Sequence, residues 1–378
     1  MLPGVYPVEA LCALRRLSFR AEIPEFDVLA FEMDAASRPL LSKYPVSRER
    51  RYIEHPLDYE WCFAREGVFR ICSEIERLGL RANSEILCLG CPSVYNSGTC
   101  HHPKLKFRLW DKNIPLGHRI GEVRELNRID ILAVDPPFRT VGAVVIDPPW
   151  YRNFYELFIW AGANSLPVGG RLLVSFPPEG TRPTVKDELN ALISWCAVRG
   201  LVLEKIERGC LPYRSPLFEV NALKAQGVCN YPLDWRRGDL LVIRKEQNMP
   251  FRKPSFSIPN GHWEEIRVRN SRIKIHRERK IAGAHFKAVG NIEIMPSVSS
   301  SHVHRQKANV VTSGNRFIQT SIPNEVFNLF AAIDGGVADP MQSRLSTAKR
   351  QFLMKKLIDV VSEEEQETAQ YFRRIHEI

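Results

Sequence analysis

At 378 residues, with 44% hydrophobic and 25% charged residues, the chain has the make-up of a folded globular protein with room for two domains, or for one with large additions. It contains no uninterrupted apolar run of the roughly 18 residues a membrane-spanning helix needs, and no charged-then-apolar leader pattern opens it, so the expected compartment is the cytoplasm. The 9 cysteines show no framework spacing and fit reduced thiols, and the formal net charge is +10.

Residues 1–60 mix short helices with proline-rich turns and read as an N-terminal extension. Residues 61–246 alternate strand and helix patterns, which predicts an α/β domain: a mostly parallel sheet covered on both faces. Val68 to Leu78 carries apolar residues at helical spacing and stops at Gly79. Glu85 to Leu89 is a short apolar strand ending at Gly90, and Leu105 to Leu109 alternates into Trp110-Asp111. Asp130 to Val134 reads as a third strand and Val141 to Ile146 as a fourth. Phe154 to Ala163 follows as an apolar helix, then the strand Gly170 to Phe176, the helix Lys186 to Arg199, and strands at Leu201–Ile206 and Gly238–Arg244. Asp234 to Asp239 reads as a turn. Residues 247–260 read as a linker and residues 261–378 as a basic region ending in one or two helices, with Phe352, Leu353, Leu357, Ile358 and Val361 at helical spacing. From Arg244 to Arg316 there are 15 lysines and arginines against 5 acids. Within that stretch Ile266 to Ile275 alternates apolar and basic residues, which predicts a strand with one core face and one positive face.

Ligands of such open sheets bind beyond the carboxyl ends of the strands. Three features collect there: Gly90, where the backbone can approach a cofactor; Asp111, placed to hold both hydroxyls of a ribose; and Asp147-Pro148-Pro149-Trp150. The two prolines fix their own φ and push the residue before each out of the helical region. The Asp147 carboxylate and the Pro148 carbonyl are then stiff acceptors, suited to grip the two N–H groups of a planar amine and favour the pyramidal nitrogen whose lone pair can react. Trp150 or Tyr151 supplies an aromatic face. Asp130 and Asp135 both lie near the third strand, where an acid can contact an adenine, and the residues leave that choice open. Thr181 and Arg182, after the fifth strand, and Tyr213 are placed to wall the substrate side. Cys88, Cys91, Cys100, His101 and His102 include soft metal ligands, but Cys88 sits inside a strand, so buried thiols are preferred and no metal is expected.

The ordered set Ile86-Leu-Cys-Leu-Gly-Cys-Pro-Ser-Val-Tyr95, Phe107-Arg-Leu-Trp-Asp111-Lys112 and Val144-Val-Ile-Asp-Pro-Pro-Trp150 resembles the N6-adenine methyltransferase-like group of class I enzymes. The resemblance covers about residues 60 to 245. It implies a Rossmann-like methyltransferase sheet with an N-terminal helical and a basic C-terminal addition, S-adenosylmethionine as cofactor near Gly90, Cys91, Pro92 and Asp111, and catalysis by Asp147 to Trp150. Cys91-Pro92 stands where many class I enzymes carry a Gly-x-Gly loop. A second tetrapeptide, Asp135-Pro136-Pro137-Phe138, competes with the first. Asp147 is preferred because the aliphatic strand before it, and the helix and strand after it, follow the order of a methyltransferase sheet. The expected activity is N6-adenine methylation of RNA or DNA, with residues 244–316 gripping the polyanion. A protein lysine methyltransferase and a non-catalytic nucleic-acid-binding module are the alternatives.

Overall fold

The computed structural model describes residues 53–113, 126–133, 135, 140–229, 231–250, 252–255, 263–278, 292–295, 297, 305, 307–335 and 345–376. The chain divides into two compact units, one built on Trp61–Ser215 with Asn230–Phe256, the other on Ile53–Glu60, Pro216–Cys229 and Ser257–Ile378.

In the first unit the elements run β1 (Cys62–Phe63), α1 (Arg65–Arg77), β2 (Glu85–Leu89), α2 (Pro92–His101), β3 (Lys106–Asp111), β4 (Leu126–Arg128), β5 (Ala143–Ile146), α3 (Arg152–Asn164), β6 (Arg171–Phe176), α4 (Val185–Ala197), β7 (Leu201–Arg214) and β8 (Arg237–Lys245). Among the described residues they form an eight-stranded sheet in the order β1-β7-β8-β6-β5-β2-β3-β4. Strands β4, β3, β2, β5 and β6 are parallel, and β8 runs antiparallel between β6 and β7. This order, with β8 and the two-residue β1 reversed, is a Rossmann-like α/β sheet.

The central strands show why the sequence folds this way. Ile86 to Leu89 and Ala143 to Ile146 are buried on both faces, as continuous apolar runs in a covered parallel sheet must be. Helix α1 ends as expected, with Gly79 adopting φ 61° after it. At the end of α3 the Lys245 ammonium donates to the carbonyls of Ala163 and Leu166, each at 2.8 Å, so this lysine serves as a helix C-cap. Helix α2 packs on β3 through Gly98, where an added Cβ would fall inside the Phe107 ring. Gly98→Ala gains about 1 kcal/mol of helix propensity, but overpacking against an aromatic ring costs more. The net loss is expected to be about 1–2 kcal/mol by urea denaturation, and a more stable variant would show that α2 shifts freely on the sheet.

Two strand expectations are corrected here. The third strand lies at Leu126–Arg128, and residues 131–133 form a turn because the Asp130 carboxylate accepts the Leu132 N–H at 3.0 Å, tying the backbone into an Asx turn. The strand beginning at Leu201 continues to Arg214, through bulges between Leu203 and Lys205 and between Glu207 and Leu211.

The second unit contains α5 (Leu217–Ala225), β9 (Glu264–Val268), β10 (Ser271–Ile275), β11 (Ile292–Met295), β12 (Val310–Thr312), β13 (Phe317–Thr320), α6 (Pro323–Ile333) and α7 (Thr347–His376). Its five described strands form an antiparallel sheet in the order β11-β13-β12-β10-β9. Val268, Ile273, Ile275, Val310 and Ile318 pack with Val326, Leu329 and Phe330 of α6 and Leu353, Leu357 and Val361 of α7. Of the predicted apolar stripe on the last helix, Phe352 alone is exposed, at 42%.

Residues 266–275 are a hairpin rather than one strand. Val268 pairs with Ser271 across a two-residue turn, and Arg269 adopts φ 51° there. That left-handed conformation is held by its N–H on Asp334 Oδ2 at 2.7 Å and its guanidinium on Glu365 at 2.8 Å. The expected positive face is corrected as well, because Arg272 and Lys274 are buried. Arg272 reaches Asp58 Oδ2 at 2.7 Å, Glu60 Oε2 at 2.7 Å and Glu265 Oε2 at 2.9 Å, and Lys274 pairs with Asp58. Burial raises the Asp58 pKa, but the charges of Lys274 and Arg272 hold it below the usual carboxylate range. Burial holds His55 well below its ordinary value, hence neutral; its Nδ1 accepts the Leu57 N–H, so Nε2 donates to the Val311 carbonyl at 3.2 Å. Arg316 likewise lies against Glu363, Glu364 and Glu367. Much of the local basic excess is therefore spent on carboxylates within the unit. The segment Ser299–Lys307 lies largely outside the described residues.

Candidate active site

The sheet's strand order reverses between β2 and β5, and a crevice opens at such a switch point beyond the carboxyl ends of the two strands. Gly90 follows β2 and Asp147 follows β5. The Asp147 N–H continues the ladder onto the Leu89 carbonyl at 3.1 Å, and Gly90 donates to the Trp110 carbonyl at 3.1 Å. Gly90 has φ +65°, and a Cβ there would sit 3.0 Å from the Asp147 carbonyl oxygen and 3.1 Å from the Phe158 ring. Glycine is required on both counts. Cys91 and Pro92 then start α2, whose first N–H groups have no intrahelical acceptor.

Asp147 is half-buried, and its carboxyl is held by two hydroxyls. Ser175 Oγ on β6 donates to Oδ1 at 2.6 Å, and the Tyr213 hydroxyl on β7 lies 2.6 Å from the same oxygen. Among the described residues Oδ2 forms no hydrogen bond. Burial pushes the carboxyl up to about 7, against the opposing pull of the Ser175 and Tyr213 hydroxyls and the Arg236 charge. Since this lies above the unfolded value of about 3.9, the folded chain binds the proton more tightly. That contribution is complete below pH ~4 and is lost as the pH rises through ~7. Asp147→Asn, which cannot ionise, should therefore gain on the wild type by roughly 3–4 kcal/mol between pH 4 and pH 8, read from paired thermal melts. A pH-independent difference would show that Asp147 does not titrate in this range.

Around the carboxyl stands an aromatic wall. Trp150 is 8% exposed, its ring edge-on to Tyr213 at 5.5 Å, and the Arg236 guanidinium lies 4.1 Å from the ring centres of both Trp150 and Trp61. Tyr151, by contrast, is 53% exposed, with the Arg182 guanidinium 5.9 Å from its ring. Of the two rings expected to offer a stacking face, Tyr151 is the open one. Arg182 is forked onto Glu188, and Thr181 Oγ1 turns back onto the Pro178 carbonyl at 2.9 Å. Tyr213 is buried, and its hydroxyl supports Asp147 through Oδ1.

The remaining predicted positions separate. Burial pushes the Cys91 thiol well above its ordinary value, helped by contact with Cys88 and by the charges of Asp147 and Asp111. Asp111 ends β3 and accepts the Asn113 N–H at 2.8 Å. Asp130 is occupied in its turn. Asp135 is exposed and paired with Lys253 at 2.9 Å, and Pro136 to Phe138 lie outside the described residues. Cys88 is fully buried in β2 and Cys91 Sγ contacts the Val145 carbonyl at 3.5 Å. Ser175, Arg236 and Trp61 were not singled out from the sequence. A serine in the otherwise apolar β6 was the one signal available for them.

The residues fit S-adenosylmethionine. A backbone cradle that a Cβ would fill at Gly90, an open helix N-terminus beside it and a carboxylate ending the next strand form the donor and acceptor set its polar ends require.

No family model matches the chain, and no curated protein matches it. Among solved structures it is similar to the branched-chain polyamine synthase of Thermus thermophilus, solved with N4-aminopropylspermidine and 5'-methylthioadenosine, at 12% identity and a TM-score of 0.45 over 55% of this chain; it spans 64% of that synthase. It is also similar to a Thermus thermophilus 16S ribosomal RNA N2-guanine methyltransferase, solved with S-adenosylmethionine and guanosine, at 12% identity and a TM-score of 0.33 over 63% of this chain and 52% of that one.

Proposed function

We propose that the chain is an S-adenosylmethionine-dependent methyltransferase that acts on the exocyclic amine of an adenine in RNA or DNA. The observation that carries this reading is Asp147: it stands at the switch point beside Gly90, with Oδ1 saturated by Ser175 and Tyr213 and Oδ2 left for a substrate N–H. Gly90, Cys91, Pro92 and Asp111 would hold the cofactor, which supplies an electrophilic methyl group on a sulfonium sulfur when bound.

The chain's own residues do the rest. Asp147 Oδ2 accepts one N–H of the amine and the Pro148 carbonyl accepts the other, which favours a pyramidal nitrogen and stabilises the transition state as positive charge grows there. After transfer the extra nitrogen proton can pass to the Asp147 carboxylate, whose pKa near neutrality suits it to receive one. Tyr151 offers the exposed ring for stacking, worth roughly 1–3 kcal/mol per base. A target in a duplex must be flipped out to reach these groups.

A lysine substrate fits less well. Its ammonium must first lose a proton with a pKa of about 10.4, and the Arg236 charge disfavours a second cation beside Asp147. The described cations of residues 244–316 are largely paired with carboxylates, so a polyanion held by that stretch would have to compete with those ion pairs. The test is incubation with radiolabelled S-adenosylmethionine and separate pools of RNA, single-stranded DNA, duplex DNA and protein. Label in a nucleic-acid pool, recovered as N6-methyladenine, is the expected result. Label in the protein pool alone overturns the substrate, and absence of cofactor binding by calorimetry overturns the enzyme.

A further inference from the structure

Three oxygen atoms close a ring at the end of β5. Asp147 Oδ1 lies 2.6 Å from Ser175 Oγ and 2.6 Å from the Tyr213 hydroxyl, and the two hydroxyls are 2.7 Å apart. With Asp147 ionised, three edges share two hydroxyl protons. Three arrangements satisfy them: both hydroxyls donate to Oδ1, or either hydroxyl donates to the other, which in turn donates to Oδ1. Each keeps the carboxylate a pure acceptor. Protonation of Asp147 brings a third proton to the site, and on Oδ2 that proton turns an acceptor for an amine N–H into a competing donor.

We propose that Ser175 and Tyr213 are positioning residues that hold Oδ1 and favour the ionised form of Asp147, so that Oδ2 is presented as an acceptor to the substrate amine. The purpose of that presentation rests on the methyltransferase reading above; the hydroxyl ring itself does not.

Both residues are buried within the fold, Ser175 opposite Leu240 in the sheet and Tyr213 among aromatic rings. Ser175 is 1% exposed in β6, where a hydroxyl must find a partner or remain an unsatisfied buried group. The Tyr213 ring is fixed by Phe63 at 4.6 Å, Trp150 at 5.5 Å and Trp61 at 6.5 Å. Gly238 leaves it room, since a Cβ there would stand 3.2 Å from Tyr213 Cε2 and 3.4 Å from Trp150 Cζ2. The charged and titratable groups facing Asp147 are Tyr213 from β7, Tyr155 from α3, Cys91 before α2 and Arg236 ahead of β8. Burial pushes Tyr213, Tyr155 and Cys91 well above their ordinary values, so all three keep their protons at neutral pH. Arg236 favours the ionised carboxylate through its charge, whereas Ser175 and Tyr213 do so by direct hydrogen bonds.

The test is a carbon-13 NMR titration of the full-length chain labelled at aspartate Cγ, with Asp147 identified by the signal lost in Asp147→Asn. Tyr213→Phe, which keeps the ring packing, and Ser175→Ala should each move the Asp147 midpoint upward by about one pH unit. An unmoved or lowered midpoint in a variant with wild-type circular dichroism overturns the proposal. The wild type gives a second reading that needs no variant to fold. With tyrosine labelled at Cζ, one of the 10 tyrosines should shift with the Asp147 midpoint, and the proposal falls if none does. Both titrations use the protein without cofactor or substrate. A chain that passes them yet labels no amine from S-adenosylmethionine keeps the positioning ring and loses the reaction proposed above.

Discussion

Asp147→Ala is expected to lower methyl transfer by about 10²–10³-fold, the loss typical of removing one preorganised polar group from a reacting centre, while S-adenosylmethionine affinity by calorimetry stays within about twofold. The split follows from where the carboxyl points its contacts. Its N–H is fixed in the ladder to Leu89 and its Oδ1 is taken by Ser175 and Tyr213, so the truncation removes the free acceptor without moving the Gly90 turn. Two buried hydroxyls lose the Asp147 acceptor in this variant and keep only each other, which costs roughly 1–3 kcal/mol of stability. Circular dichroism must therefore show a folded chain before the rate is read. Turnover within tenfold of wild type, on whichever pool carries label, would remove Asp147 from the chemistry.

Arg272→Ala is expected to destabilise the second unit by about 3–5 kcal/mol, because it strips the counter-charge from buried acids. The guanidinium is 5% exposed and joins Asp58, Glu60 and Glu265 and also the Ile53 carbonyl at 3.1 Å. Lys274 alone cannot neutralise that set. Hydrogen exchange should speed up across residues 264–275, with a matching fall in the urea midpoint. A loss below about 1 kcal/mol would show that water reaches these acids and screens them, as at a surface pair.

The central sheet could be read from the sequence because each of its strands is a run buried on both faces: Ile86 to Leu89, Ala143 to Ile146 and Leu172 to Val174 have no polar face to confuse the pattern. The placement of Asp147 followed from strand order alone. Asp130 misled because its local Asx turn competes with an apolar run that looks extended. The hairpin at Arg269 was hidden by the absence of a glycine, since an arginine there holds positive φ through contacts with Asp334 and Glu365 distant in the sequence. Arg272 and Lys274 looked like a displayed cationic face for the same reason, as alternation marks which side chains share a face but not which acids meet them. Tyr213 was singled out, but for the substrate wall. Its hydroxyl's partner lies 66 positions away, beyond the reach of any local pattern.

The carboxylates around Arg272 also set a clock on synthesis. Asp58 is made 214 residues before the cation it neutralises. At translation speeds of about 5–20 residues per second, roughly 10–40 s separate the two. Residues 53–60 emerge as an acidic segment with no fold to join, while the whole of 61–215 is produced behind them. The first unit has its strands available early, whereas the second closes only when β10 arrives, across a loop long enough to make that closure slow. A nascent chain arrested before residue 271 should thus bear a structured sheet and, at residues 53–60, an acidic segment that has not yet met Arg272, the state in which a chaperone would meet it.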